Sequence, residues 1–102
     1  MRLRYTLPAL ADLEGILDHV AERSPQSANK IAERIGTITT KLCDRPHMGR
    51  RTEDLTIRRL NARPYPYLIF YEIGDDEIVI LAVRHGARDP TSMPGGDRGS
   101  RK

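Results

Sequence analysis

Charged and apolar side chains alternate from Arg2 to Tyr5, with Leu3 and Tyr5 on one side, which predicts a short first strand. The period then lengthens. Leu10, Leu13, Leu17 and Val20 recur at helical spacing, and Ile16 widens the stripe. Thr6 is suited to cap this helix, Pro8 is tolerated in its first turn, and Asp12 and Glu14 favour the positive end of its dipole. Gly15 weakens it slightly. Ser24-Pro25 ends the first helix and opens a second, because serine caps and proline fits the first helical position. The second stripe is longer: Ala28, Ile31, Ala32, Ile35, Ile38 and Leu42 on one face, with Lys30, Glu33, Arg34 and Lys41 toward solvent. Arg45-Pro46 stops it near Asp44. So short a link between two amphipathic helices makes an antiparallel hairpin, whose stripes need a third layer to cover them.

The rest of the chain supplies that layer. Residues 43–54 read as a polar loop turning around Pro46 to Gly49. Leu55 to Leu60, Tyr67 to Ile73 and Glu77 to Val83 read as strands, the last two joined by Gly74-Asp75-Asp76 at hairpin distance. Pro64 and Pro66 cannot donate ladder hydrogen bonds, so they hold Tyr65 at the mouth of its strand. The order β-α-α-β-β-β predicts an α+β fold, a helical hairpin packed on a largely antiparallel four-stranded sheet. The domain is expected over residues 1–90, and the Gly-, Ser- and charge-rich residues 91–102 as a disordered tail.

At 102 residues the chain fits one small core, and with no Trp and one Phe that core must be largely aliphatic. The single cysteine, Cys43, excludes an intrachain disulfide framework and fits a reducing compartment. No apolar run approaches the length of a membrane span, and the amino terminus enters a strand pattern at once, so no secretory leader and a cytoplasmic location are expected. The formal charge is only +3 but is uneven. Residues 47–63 hold five basic against two acidic side chains, and residues 64–90 hold two against five. Fourteen of the seventeen basic residues are Arg, which favours planar contacts to carboxylates or phosphates.

Three constellations could carry function. Arg45, Arg50, Arg51, Arg58, Arg59 and Arg63 fall within one loop, strand and turn, and could offer a basic surface to RNA or to an acidic peptide. The plainer reading puts Arg58 and Arg59 on opposite faces, one solvated and one covering the sheet. Glu53, Arg58, Arg84 and His85 include the types that ribonucleolytic attack by a 2′-hydroxyl needs: base, cation and acid. A histidine at a strand end is, however, often purely structural. Tyr65, Tyr67 and Tyr71 with Phe70 could stack bases or anchor a partner; Tyr67 and Tyr71 share a face and read as core packing with wet hydroxyls, leaving Tyr65 freer. Cys43, His19, His47 and His85 lack ligand spacing, so neither metal nor cofactor is expected.

The run Tyr65-Pro66-Tyr67-Leu68-Ile69-Phe70-Tyr71-Glu72, followed by Ile78 to Val83 and Arg84-His85-Gly86-Ala87-Arg88-Asp89-Pro90, closely resembles the ParE branch of the RelE/ParE toxin superfamily. Ala11-Asp12-Leu13, Ser24-Pro25, Arg45-Pro46-His47-Met48-Gly49-Arg50 and Ile57-Arg58 agree in order, so the likeness spans residues 1–90. The resemblance implies a type II toxin neutralised by a cognate, ParD-like antitoxin with a flexible acidic carboxy-terminal segment, and DNA contact only through that antitoxin. Members of the ParE branch are described as gyrase poisons that do no chemistry, whereas the RelE branch are ribosome-dependent endoribonucleases. Some ribonuclease relatives carry a tyrosine where this chain has Gly86, or one in the final turn, and lysines where it has Arg50 and Arg51. The expectation is therefore a non-enzymatic gyrase inhibitor, with Arg58, Arg63, Tyr65, Arg84, His85 and Arg88 on its target or antitoxin surface. The alternative is a ribonuclease using Glu53, Arg58, Arg84 and His85.

Overall fold

The computed structural model describes residues 1–86, so Arg88, the boundary at residue 90 and the tail at 91–102 lie outside the described residues. The elements run β1 (Arg2–Tyr5), α1 (Leu7–Ala21), α2 (Pro25–Asp44), a 3-10 turn (Pro46–Met48), β2 (Arg50–Arg51), β3 (Arg58–Asn61), β4 (Tyr67–Ile73) and β5 (Glu77–His85). They form one sheet in the order β1-β5-β4-β3-β2, parallel between β1 and β5 and antiparallel elsewhere, with the helical hairpin on one face. Among the described residues no helix is long and apolar enough to cross a membrane.

Both helix starts follow their capping residues. The Thr6 hydroxyl accepts from Ala9 N (3.2 Å) and also donates to the Ile80 carbonyl (3.2 Å), so one side chain caps α1 and ties it to β5. Ser24 Oγ accepts from Ser27 N (3.1 Å) at the head of α2, where Pro25 occupies the first turn. The core between hairpin and sheet is built from Ile31, Ile35, Ile38 and Leu42 of α2 against Tyr67, Ile69 and Tyr71 of β4 and Ile78, Ile80 and Val83 of β5. Ile57, Leu68, Phe70 and Ala82 form a smaller cluster on the opposite face.

Several expectations need correction. The sheet has five strands, because Arg50 and Arg51 pair with Arg59 and Arg58. A two-residue strand is too short to show alternation. The third strand opens at Arg58, not Leu55, which is 75% exposed. Turn chemistry overrides its apolarity: Asp54 Oδ1 accepts from Thr56 N (2.9 Å) and the Thr56 hydroxyl (2.7 Å), while the Thr52 hydroxyl donates to the Ile57 carbonyl (2.9 Å). The two bonds from Thr56 hold the Asp54 carboxyl below its ordinary pKa. On α1 the inward row is Ala9, Leu13, Ile16, Leu17 and Val20, so Leu10 stays exposed; on α2 Thr39 is buried and Ala32 is exposed. Thr39 satisfies its hydroxyl on the Ile35 carbonyl (2.9 Å), which makes its burial inexpensive.

The last strand is longer than expected and carries a bulge. Phe70 pairs with Ala82 and Tyr71 with Ile80, leaving Leu81 as the extra residue. The insertion resets the alternation, so Val83 and His85 join Ile78 and Ile80 on the helix side. At the other end of β5, Arg4 forks the Glu77 carboxylate through Nε and Nη2 (3.2 Å each), and that bond holds Glu77 below its ordinary pKa.

Candidate functional site

The carboxy-terminal end of β5 is where the fold gathers polar side chains around a sheet edge. β1 pairs with β5 only from Glu77 to Ile80, so the strand beyond has an open edge. α1 covers it. Asp12 Oδ2 accepts the Val83 N–H (3.0 Å), a ladder group with no strand beside it, and sits 3.8 Å from Arg84 Nε. One carboxylate therefore closes a sheet edge and orients an arginine. Next along the strand, His85 stands opposite Tyr67, the rings in an edge-to-face contact with centroids 5.5 Å apart. Its Nδ1 is buried without a hydrogen-bond partner among the described residues.

These groups line a groove of about 820 Å³ between α1, the start of α2 and the end of the sheet. Asp12, Ile16 and His19 reach it from one face of α1, Arg23 and Ser24 from the hinge and Ser27 from the first turn of α2. The row at 12, 16 and 19 places two polar side chains beside the apolar stripe, and Arg23 follows just past the helix end. That spacing was the sequence signal for the groove, and it was missed in favour of Asp12's position near the helix dipole. Gly15 also lines the groove, and a methyl added there would meet nothing within 4 Å. Gly15→Ala should therefore stabilise the chain by up to about 1 kcal/mol through helix propensity, read from the denaturant midpoint. Gly15→Phe should fill the groove and weaken binding of whatever occupies it, with little change in stability.

The other expected site residues lie elsewhere. Arg58 pairs in register with Tyr71, whereas His85 pairs with Tyr67. That separates them by two strands, about 10 Å, and by four residues along β4, about 13 Å. The Arg58 guanidinium is committed to the Gly49 carbonyl (2.8 Å), with the His47 carbonyl at 3.5 Å. Glu53 is exposed on the loop before β3. Arg63 is exposed beside Arg34, Arg50 and Arg59, and Tyr65 is half-buried against the main core. Arg84 and His85 are thus brought together, and Glu53 and Arg58 are not brought to them. No group of three or more His, Cys, Asp or Glu that could hold a metal occurs among the described residues.

Tyr71 is core, but its hydroxyl is not wet. It donates to the Pro46 carbonyl (2.7 Å) and accepts from Gly49 N (2.9 Å), fastening the turn after α2 to the sheet. Burial pushes its pKa up, against the lowering effect of the Gly49 N–H and of Arg58. The stability this phenol provides is present below the unfolded tyrosine pKa and lost as pH rises through the folded one. Tyr71→Phe should cost about 1–2 kcal/mol at neutral pH in urea unfolding, since it orphans a buried N–H, and should flatten the alkaline loss.

The family described as "ParE toxin of type II toxin-antitoxin system, parDE" matches residues 3–90. The chain belongs to the ParE toxin family. It is a type II toxin of the ParE/RelE kind, and such a toxin has an antitoxin as partner. Toxin RelE2 of Caulobacter vibrioides is 38% identical to this ParE-family chain over 84 residues, covering 82% of it and 93% of RelE2. Y4kP of Sinorhizobium fredii is 36% identical over 84 residues, covering 82% and 86%. A chain of the solved chromosomal ParDE TA system from P. aeruginosa matches with a TM-score of 0.73 at 30% identity, over 83% of this chain and 95% of that one. The ParE match includes the whole of α1 and β5, and therefore both walls of the groove.

Proposed function

We propose that this toxin acts in the cytoplasm by binding DNA gyrase and blocking replication, with no chemistry of its own, and that a ParD-like antitoxin with an acidic flexible segment reverses it. The observation that supports the reading is the dispersal of the ribonuclease constellation. Cleavage by 2′-hydroxyl attack needs base, acid and cation around one phosphate. Arg58 is instead spent on a backbone carbonyl, Glu53 sits on a solvated loop, and both are remote from Arg84 and His85. Membership of the ParE family adds to this. The groove at the end of β5, with Arg84, His85 and Tyr67, is the surface we assign to target contact; Arg58 acts behind it, holding the Pro46–Gly49 turn. Arg63, Tyr65 and Arg88 are held as residues of the target or antitoxin surface.

The test is supercoiling by gyrase of the source species, with purified toxin added and broken DNA scored on the same gel. Inhibition with trapped breaks, reversed by the cognate antitoxin, is the expected result. In the same assay His85→Ala should weaken inhibition about tenfold, the loss of one good contact. Cleavage of mRNA on translating ribosomes, abolished by His85→Ala while gyrase is untouched, would instead make the two groove histidines and Arg84 a catalytic set.

A further inference from the structure

Four arginines from separate parts of the chain converge away from the groove. Arg34 comes from α2, Arg50 from β2, Arg59 from β3 and Arg63 from the turn that follows, around a pocket of about 500 Å³ that Met48, Leu60 and Asn61 also line. Arg50 and Arg59 are direct register partners, so two like charges face each other across the ladder. Such a pairing is unfavourable in isolation. None of the four lies within ion-pair distance of a carboxylate among the described residues. Arg34 spends its Nε on the Arg63 backbone carbonyl, which ties the helix to the turn. Met48, 37% exposed, and half-buried Leu60 are the apolar residues of its lining.

The ligand chemistry follows from what lines the pocket. Uncompensated guanidinium groups call for carboxylates or phosphates, which they fork in a plane. The apolar part of the lining is aliphatic, with no aromatic ring on which a splayed base could stack, and such rings are the usual feature of single-strand recognition. An aliphatic side chain set between carboxylates meets both demands. We infer that this pocket docks a short acidic segment of the antitoxin, its carboxylates on Arg50, Arg59 and Arg63 and an aliphatic side chain on Met48 and Leu60. The inference rests on the chain being a type II toxin, and it is independent of gyrase as the target.

The experiment is an amide chemical-shift titration of the labelled toxin with a synthetic peptide repeating Glu-Leu-Glu-Glu, with its Gln-for-Glu counterpart, and with a single-stranded DNA oligonucleotide of matched length. The acidic peptide should move Met48, Leu60, Asn61 and Arg63, lose affinity as salt rises, and be displaced by the full cognate antitoxin. Combined Arg50→Gln, Arg59→Gln and Arg63→Gln substitution should weaken it about tenfold, because each exposed pair contributes modestly; the remaining resonances of that variant report an intact fold. Equal binding of the Gln peptide, tighter binding of the oligonucleotide at these residues, or an antitoxin that leaves the acidic peptide in place would each overturn the assignment. Because the readout is binding to the toxin alone, failure to inhibit gyrase leaves this result standing, and failure here leaves the gyrase assay standing.

Discussion

Gly49→Ala should lower the unfolding free energy by roughly 3 kcal/mol, a larger loss than a surface glycine would give. The reason is contact and not backbone conformation, since Gly49 has φ of −80°, which any residue adopts. A Cβ at this position would lie 2.6 Å from the Tyr71 hydroxyl oxygen, 2.7 Å from its Cε1 and 2.9 Å from the Arg59 carbonyl. None of these can move cheaply. Tyr71 is fully buried, its hydroxyl is fixed by Pro46 and Gly49, and the Arg59 carbonyl is part of β3. Relief would require moving the turn, which breaks the Tyr71 bonds and the Arg58 bond to the Gly49 carbonyl together. Urea denaturation of wild type, Gly49→Ala, Tyr71→Phe and the double variant separates the contributions. The double variant should lose less than the sum of the singles, because both act on the same fastening. A midpoint unchanged by Gly49→Ala would mean that the turn is not packed on Tyr71 at all.

That fastening shows which parts of the structure were legible in the sequence. Thr6 and Ser24 were readable because a cap is a local contract between a side chain and an amide three residues on. β4 was read with its correct ends, since proline before it and Gly74-Asp75-Asp76 after it mark the boundaries. What failed was strand extent and register, which pairing decides; the antiparallel sheet under a helical hairpin was legible. Nothing within Arg50-Arg51 announces a strand; it becomes one because β3 lies alongside. The bulge at Leu81 exists only as a mismatch between two strands, yet it decides that His85 shares a face with Tyr67. The site was harder still. Glu53, Arg58, Arg84 and His85 are chemically suited to one another, but register sets Arg58 apart from Arg84 and His85, and Glu53 stands on the loop before β3. Arg34 was read as a solvated helix residue, and its place among Arg50, Arg59 and Arg63 depends on how α2 crosses the sheet.

Asp12 carries the second large effect. Asp12→Ala removes the acceptor of the Val83 N–H and the carboxylate beside Arg84 in one step. The amide is part-buried on an edge that β1 no longer covers, so no neighbouring strand can replace the lost bond. A bond to a charged acceptor places the cost at about 2–3 kcal/mol. Asp12→Asn keeps an oxygen for Val83 and gives up only the half-exposed ion pair with Arg84, which points to about 1 kcal/mol or less. Hydrogen exchange distinguishes the two roles: the Val83 amide should exchange at least tenfold faster in Asp12→Ala and little faster in Asp12→Asn. Function should follow a different order. If Arg84 meets the target, its orientation depends on the charge at Asp12, so both variants should weaken gyrase inhibition under conditions where both remain folded. Inhibition that tracks stability alone, with Asp12→Asn fully active, would reduce Asp12 to a clasp on the sheet edge.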